Sequence, residues 1–138
     1  MGNGTLVDVG EDLVTASLDK TIFVLDDDEA VRDSLQALLE SIGHSVRTYS
    51  SGTQFLDDHG PRHDGCLLLD LTMAEMDGFE VLELLAARQA SIPVIVMTGT
   101  PDRVMSDRAV RLGASAVLHK PLTDAVLIET IDLLIRRG

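Results

Sequence analysis

The sequence has little cysteine and no long apolar run, and each shortage excludes a class of protein. Its one cysteine, Cys66, cannot form a disulfide within the chain. No apolar stretch approaches the roughly 20 residues that cross a bilayer, and the first residues lack the basic start and apolar stretch of a signal peptide. We therefore predict a cytoplasmic protein that does not contact the membrane.

Positive charge is also scarce. The chain has 11 lysines and arginines against 23 aspartates and glutamates, which gives a formal net charge of −12. Such a chain repels the phosphate backbone of nucleic acids, so we predict no direct nucleic-acid binding by this chain. Its 138 residues are a typical length for one domain.

The apolar pattern divides the chain at residue 20. Residues 1–20 contain three glycines and only short apolar stretches, and we predict a flexible leader with at most a helical turn near Leu13 to Leu18. From Thr21 to the end, short apolar runs alternate with stretches of helical spacing. The predicted strands are 21–25, 44–49, 66–70, 92–97 and 116–119.

Helix signals follow each predicted strand, and the second of the predicted helices is a short one over residues 51–58. Asp28 favours the start of the first helix, whose apolar stripe extends to Ile42, and Asp77 caps the third helix. Thr100 is predicted to cap the fourth helix, and the last helix covers residues 123–137. Strands and helices in strict alternation predict an α/β fold, a five-stranded parallel sheet with helices on both faces.

Polar side chains stand where four of the predicted strands end. The first strand is followed by Asp26 and Asp27, the third ends at Asp70, the fourth at Thr98, and the fifth is followed by Lys120. The carboxyl ends of parallel strands share one edge of the sheet, which is where such folds bind ligands. We therefore predict that these five side chains form one site.

The residue types at this edge indicate phosphoryl chemistry. Three neighbouring carboxylates repel one another unless a cation offsets their charge, and Mg²⁺ prefers oxygen ligands. A carboxylate can attack phosphorus and form an acyl phosphate when a metal ion and a cation neutralise the transferring group. Lys120 would supply the cation and Thr98 a hydroxyl donor.

Four fragments in this order resemble the receiver domains of two-component response regulators. They are Leu25-Asp26-Asp27-Asp28, Leu69-Asp70-Leu71-Thr72-Met73, Met97-Thr98-Gly99 and Lys120-Pro121. The resemblance covers about residues 21 to 137 and implies a receiver domain over residues 21–138. It also implies a flavodoxin-like fold with strand order 2-1-3-4-5.

The resemblance implies a role for each site residue. Asp70 would accept a phosphoryl group from a sensor histidine kinase or a histidine phosphotransfer protein. Asp27, Asp70 and the main-chain carbonyl of Thr72 would bind Mg²⁺, with Asp26 contributing through water. Lys120 would pair with the phosphoryl oxygens, and the Lys120-Pro121 bond is often cis in this family. Such a chain is not an enzyme that turns over external substrates.

The resemblance also implies how the signal leaves the domain. Thr98 would move to hydrogen-bond the phosphoryl group, and the face formed by helix 4, strand 5 and helix 5 would repack. Phosphorylation adds about 1.5 to 2 negative charges, enough to bias a bistable element. The partner would be a downstream output domain or protein, and a homodimer formed on phosphorylation is left open.

The sequence departs from the family pattern in three respects. The aromatic switch residue of the family is replaced by Val117, which predicts a different coupling of Thr98 to the output face. The usual proline four residues after Asp70 is Ala74. Neither Thr72 nor Thr100 offers a group that orients a hydrolytic water, which predicts slow self-dephosphorylation.

Two alternatives remain open from the residues alone. A small phosphatase of the haloacid-dehalogenase kind would use Asp26 as nucleophile and Asp28 as acid, but it expects threonine or valine at Ala30 and leaves Asp70 without a role. A receiver-like module that binds partners without phosphorylation is the other alternative. The chain would be either a stand-alone regulator or the amino-terminal part of a longer one.

Overall fold

The computed structural model describes residues 20–58, 65–99 and 102–137, in which five strands alternate with five helices. The strands are β1 (Thr21–Leu25), β2 (Ser45–Tyr49), β3 (Gly65–Asp70), β4 (Val94–Thr98) and β5 (Ala116–His119). The helices are α1 (Glu29–Ser41), α2 (Gly52–Asp58), α3 (Gly78–Ala87), α4 (Arg103–Arg111) and α5 (Asp124–Arg137). Of the leader predicted over residues 1–20, residues 1–19, which include the predicted helical turn, lie outside the described residues.

The five strands form one parallel sheet in the order β2-β1-β3-β4-β5, which confirms the predicted fold class and strand order. All six residues of the central strand β3 are buried, because helices cover both faces of the sheet. Leu67 and Leu69 pack with residues of α2, α3 and α4, whereas Cys66 and Leu68 pack with residues of α1 and α5. Two apolar layers therefore hold β3 in place, and Asp70 at its end is fixed with it.

Aspartate side chains cap three of the helices where the chain leaves the carboxyl edge of the sheet. The carboxylate of Asp28 accepts hydrogen bonds from the first turn of α1, as predicted. Asp77 and Glu80 form the predicted capping box of α3. The cap predicted at Thr100 lies outside the described residues, and Asp102 is the N-cap of α4, so the helix begins later than predicted.

The apolar stripe of α1 is shorter than the sequence indicates. Leu35 and Leu39 are buried, but Ile42, predicted to be on the same stripe, is 45% exposed. Ile42 has left helical geometry and caps the end of α1, so its side chain no longer follows the helical spacing. The prediction that the apolar stripe of this helix extends to Ile42 is therefore wrong.

Close contact between β1 and β3 depends on Gly65, the first residue of β3. Gly65 has a φ of 135°, and a Cβ built on it would lie 1.8 Å from the carbonyl oxygen of its register partner Thr21. A side chain at this position would separate the two strands, so only glycine fits here.

The peptide bond between Lys120 and Pro121 is cis. No helix among the described residues is both long enough and apolar enough to cross a membrane.

Candidate functional site

The structure brings the predicted polar side chains together at the carboxyl edge of the sheet. Asp26 and Asp27 follow β1, Asp70 and Thr98 are the last residues of β3 and β4, and Lys120 follows β5. One carboxylate oxygen from each of the three aspartates lies within 4.8 Å of the others. The convergence follows from the parallel topology, because β1, β3 and β4 are neighbours in the sheet.

Asp26 is the most enclosed of the three acids, with no exposed surface. Its Oδ1 accepts a hydrogen bond from the backbone N–H of Asp28 at 2.9 Å, and its Oδ2 lies 3.1 Å from Nζ of Lys120. Arg32 donates from Nη1 to the main-chain carbonyl of Asp26 at 2.7 Å. Both carboxylate oxygens are thus bonded, as a buried charge requires.

Asp70 is 6% exposed and shares the same ammonium group. Its Oδ1 lies 3.4 Å from Nζ of Lys120 and 3.4 Å from the backbone nitrogen of Thr72, which donates to it. Burial and the nearby charge of Asp26 raise the pKa of Asp70 to about 6, although Lys120 partly opposes the shift. Asp70 is therefore mostly ionised at neutral pH, at a cost in free energy.

Lys120 connects two of the acids and two of the strands. Burial alone would lower the pKa of Lys120, but its hydrogen bonds and charge interactions with Asp26 and Asp70 outweigh that effect and raise it. Its backbone N–H donates to the carbonyl of Thr98 at 2.8 Å. Thr98 itself is 2% exposed, and this backbone bond holds Lys120 next to the end of β4.

Asp27 is the exposed member of the cluster. Its Oδ2 accepts a hydrogen bond of 3.0 Å from the backbone N–H of Ala74, 47 residues further along the chain. Ala74 lies in the segment 71–77 between β3 and α3, which also contains Thr72. The bond therefore joins the end of β1 to the segment that follows Asp70.

The amino end of α3 packs against the first residues of this segment. The backbone N–H of Gly78 donates to the carbonyl of Leu71 at 2.9 Å. A Cβ on Gly78 would lie 2.8 Å from Cα of Leu71 and 2.9 Å from the carbonyl oxygen of Asp70. The helix can approach the backbone of Asp70 this closely because residue 78 has no side chain.

The donor set fits a hard divalent cation. Asp26, Asp27 and Asp70 supply only carboxylate oxygens, the ligands that Mg²⁺ prefers. With all three ionised and Lys120 protonated, the cluster has a formal charge of −2, which one divalent cation would neutralise. Thr72, predicted to contribute its carbonyl, is two residues beyond Asp70 and already bonded to it through its N–H.

The structure also adds residues that the sequence did not single out. Arg32 lies one turn into α1 and contacts the backbone of Asp26, a placement that the cap at Asp28 and a spacing of four residues could have indicated. The contact of Ala74 uses its backbone N–H, so no residue type marks it in the sequence. Val117 is half-buried and packs against the apolar cluster that includes residues of α3 and α4.

An open cavity of about 740 Å³ adjoins the site. It lies between α1 and the connection from β5 to α5, and Lys120 is one of its lining residues. Apolar side chains of α1, Val31, Leu35 and Leu38, line the opposite wall. A group seated in this cavity would therefore contact Lys120.

Comparisons with known proteins agree on one family. The sequence pattern of the family described as response regulator receiver domain matches residues 22–132. The transcriptional regulatory protein FixJ of Azorhizobium caulinodans is 44% identical over 110 residues, which are 80% of this chain and 52% of that protein. The response regulator protein TmoT of Ectopseudomonas mendocina is 39% identical over 113 residues, 82% of this chain and 51% of that protein.

A solved structure extends the agreement to three dimensions. The crystal structure described as FixJ-N superimposes with a TM-score of 0.81 at 36% identity, covering 87% of this chain and 96% of that one. The chain spans about half the length of the curated relatives that it matches.

Proposed function

The chain belongs to the response regulator receiver domain family, and from this premise we propose that Asp70 accepts a phosphoryl group and that the rest of the site makes the transfer possible. We assign residues 21–138 to the receiver domain, with the segment before it as a leader. The observation that carries the proposal is the cluster of Asp26, Asp27 and Asp70 at the carboxyl edge of the sheet, with Lys120 paired to Asp26 and Asp70.

In the proposed reaction, a carboxylate oxygen of Asp70 attacks the phosphorus of the donor. A new bond forms between this oxygen and phosphorus, and the bond from phosphorus to the donor's leaving atom breaks with its electron pair. The attacking carboxylate must be ionised, and with a pKa of about 6 Asp70 meets this condition at neutral pH. The product is an acyl phosphate on Asp70.

The surrounding residues neutralise and orient the transferring group. Nζ of Lys120, already 3.4 Å from Oδ1 of Asp70, would form an ion pair with the phosphoryl oxygens, and the hydroxyl of Thr98 would donate a hydrogen bond to them. Asp26, Asp27, Asp70 and the carbonyl of Thr72 would hold Mg²⁺, which supplies charge neutralisation at the phosphoryl oxygens when bound. The chain modifies itself once per cycle and does not turn over external substrates.

The proposed output follows from how Lys120 and Thr98 are connected. Phosphorylation adds about 1.5 to 2 negative charges beside a lysine whose backbone is bonded to β4. A shift of Lys120 or Thr98 would displace β5 and the neighbouring helices α4 and α5. Half-buried Val117, in β5, occupies the position of the family's switch residue. We propose that this face signals to an output domain or protein, with dimerisation on phosphorylation as one form of that signal.

We further propose that the donor is a histidine kinase or a histidine phosphotransfer protein in the cytoplasm. The relatives are described as transcriptional regulatory and response regulator proteins, and the chain matches about half of each. The cavity between α1 and the segment after β5 supports this proposal, because it gives a partner an apolar contact next to Lys120.

The phosphatase alternative has less support. It requires Asp26 as nucleophile, but this carboxylate has no exposed surface and both of its oxygens are bonded, to the N–H of Asp28 and to Lys120. It also leaves Asp70 without a function. The alternative of a phosphorylation-independent binding module leaves the three converging acids and Lys120 without a function.

The test is phosphorylation by acetyl phosphate with Mg²⁺, followed by intact mass spectrometry. We expect the wild type to gain one phosphoryl group, Asp70→Asn to gain none, and the exposed-acid control Asp33→Asn to behave like the wild type. No gain in the wild type would favour the phosphorylation-independent module. A gain that persists in Asp70→Asn would place the nucleophile elsewhere.

A further inference from the structure

The guanidinium of Arg32 contacts the backbone between two of the acids. Its Nη1 donates to the main-chain carbonyl of Asp26 at 2.7 Å. This carbonyl belongs to the peptide unit that joins Asp26 to Asp27. A peptide unit is planar, so a donor that holds its oxygen restricts the backbone rotation on both sides of the unit. Through one contact, Arg32 therefore limits the directions in which both carboxylates can point.

This peptide unit lies where the regular hydrogen bonding of the sheet ends. Leu25 is the last residue of β1 that is in register with β2 and β3. The N–H of Asp26 still donates to the carbonyl of Tyr49 at 3.2 Å, but the carbonyl of Asp26 accepts from the guanidinium of Arg32. The two acids thus come after the paired stretch of β1, at a point where a side chain replaces a strand as the hydrogen-bonding partner.

The arginine is itself anchored at the start of α1. Its backbone N–H donates to the carbonyl of Asp28 at 3.0 Å, and the carboxylate of Asp28 caps the helix. The N–H of Asp28 in turn donates to Oδ1 of Asp26 at 2.9 Å. The start of α1 therefore holds both the main chain and the side chain of Asp26.

We propose that Arg32 is a positioning residue that holds Asp26 and Asp27 in the arrangement that binds Mg²⁺, an inference that rests on the proposed function. Charge alone predicts the opposite effect, because a guanidinium near the site repels a divalent cation and its loss would tighten binding. Losing a group that orients metal ligands typically weakens metal binding about 10- to 100-fold. Arg32 contacts the main chain of the ligands and not their carboxylates, so we expect the lower end of that range.

Arg88 offers a matched control in the same chain. Its Nη1 donates to the main-chain carbonyl of Leu56 at 2.8 Å, and both arginine contacts are partly buried. Arg88 follows the carboxyl end of α3, whereas the amino end of that helix packs near Asp70. Methionine is unbranched and has a helix propensity similar to that of arginine, but it removes the donor and the charge. A general loss of stability would affect both variants, whereas a loss of positioning would affect Arg32→Met alone.

The experiment is a Mg²⁺ titration of the wild type, Arg32→Met and Arg88→Met, followed by two-dimensional amide NMR. Urea unfolding in EDTA first establishes that each protein is folded under the conditions of the titration. We expect a dissociation constant about tenfold higher in Arg32→Met and unchanged in Arg88→Met. A dissociation constant that is unchanged or lower in Arg32→Met would overturn the inference, and so would an equal rise in both variants.

A milder variant covers the case that Arg32→Met does not fold. Arg32→Lys keeps the charge and one donor but loses the planar fork of the guanidinium, so the dissociation constant for Mg²⁺ should rise about threefold. In that case, an unchanged dissociation constant in Arg32→Lys would overturn the inference. A wild type that does not bind Mg²⁺ would overturn the proposed metal site as well, whereas wild-type binding that the Arg32 variant does not weaken overturns the positioning role alone.

Discussion

Replacing Asp70 by asparagine should make the metal-free protein more stable at neutral pH, although it removes the proposed phosphoacceptor. The pKa of Asp70 is raised from 3.8 to about 6, first by burial and then by the charge of Asp26. A carboxyl group with a higher pKa in the folded state favours folding at low pH. That contribution is lost as the pH rises from about 4 through 6.

The raised pKa of Asp70 sets the size of the expected gain in stability. A difference from 3.8 to about 6 corresponds to about 3 kcal/mol of lost stability once Asp70 is ionised in both states. Asparagine has no charge to bury, so Asp70→Asn should unfold at a higher urea concentration at pH 8, by about 1.5 M for an m-value of about 2 kcal/mol per M. At pH 4 the two proteins should differ by less than about 1 kcal/mol.

Circular dichroism in EDTA follows the unfolding, with Asp33→Asn as the control for loss of an exposed carboxylate. The control should match the wild type at both pH values. Saturating Mg²⁺ should stabilise the wild type more than Asp70→Asn and so reduce the gap at pH 8. If Asp70→Asn is less stable than the wild type at pH 8, or the gap does not narrow in acid, the electrostatic account of the site is wrong.

Three further predictions concern stability and reactivity. Lys120→Met should lower the free energy of unfolding at pH 8 by about 3 kcal/mol, because it leaves the buried charge of Asp26 unpaired. Adding Asp26→Asn should recover part of this loss. Urea unfolding of the single and the double variant tests both expectations. Burial raises the pKa of Cys66 to about 12, so the native thiol should react with a thiol reagent only at the rate of unfolding, and faster labelling in native buffer would contradict its burial. Gly78→Ala should lower the free energy of unfolding by about 1 to 3 kcal/mol because the new Cβ would press on the backbone of Asp70, and an unchanged urea midpoint would show that α3 can move away freely.

Much of the fold could be predicted because its signals are local and repeated. The buried strands are continuous apolar runs that stop at polar residues, and Asp28 and Asp77 act as the caps that their positions indicate. The strand order came from the family resemblance, since apolar periodicity does not say which strands are neighbours. The errors are at helix ends: Ile42 follows the apolar spacing of α1 after the backbone has already left the helix.

The site was predictable as a set of residues but not as a geometry. Parallel strands bring their carboxyl ends to one edge, so the approach of Asp26, Asp27 and Asp70 follows from the alternating pattern. The sequence does not tell which acid is buried, and burial is the main cause of the raised pKa of Asp70. Nor does it indicate the contact of Ala74, because a backbone N–H is present in nearly every residue.

Gly65 has a consequence for the opposite end of the sheet. The carbonyl oxygen of Thr21 occupies the space that a side chain of Gly65 would need, so β1 and β3 begin in close contact. Both strands then run in register for five residues, about 17 Å, before they reach Asp26 and Asp70. Gly65 therefore lets the two strands pair at close range from their first residues, and the backbones of Asp26 and Asp70 come directly after this paired stretch. A glycine without any chemistry of its own thus affects the position of the two acids in the proposed phosphorylation site.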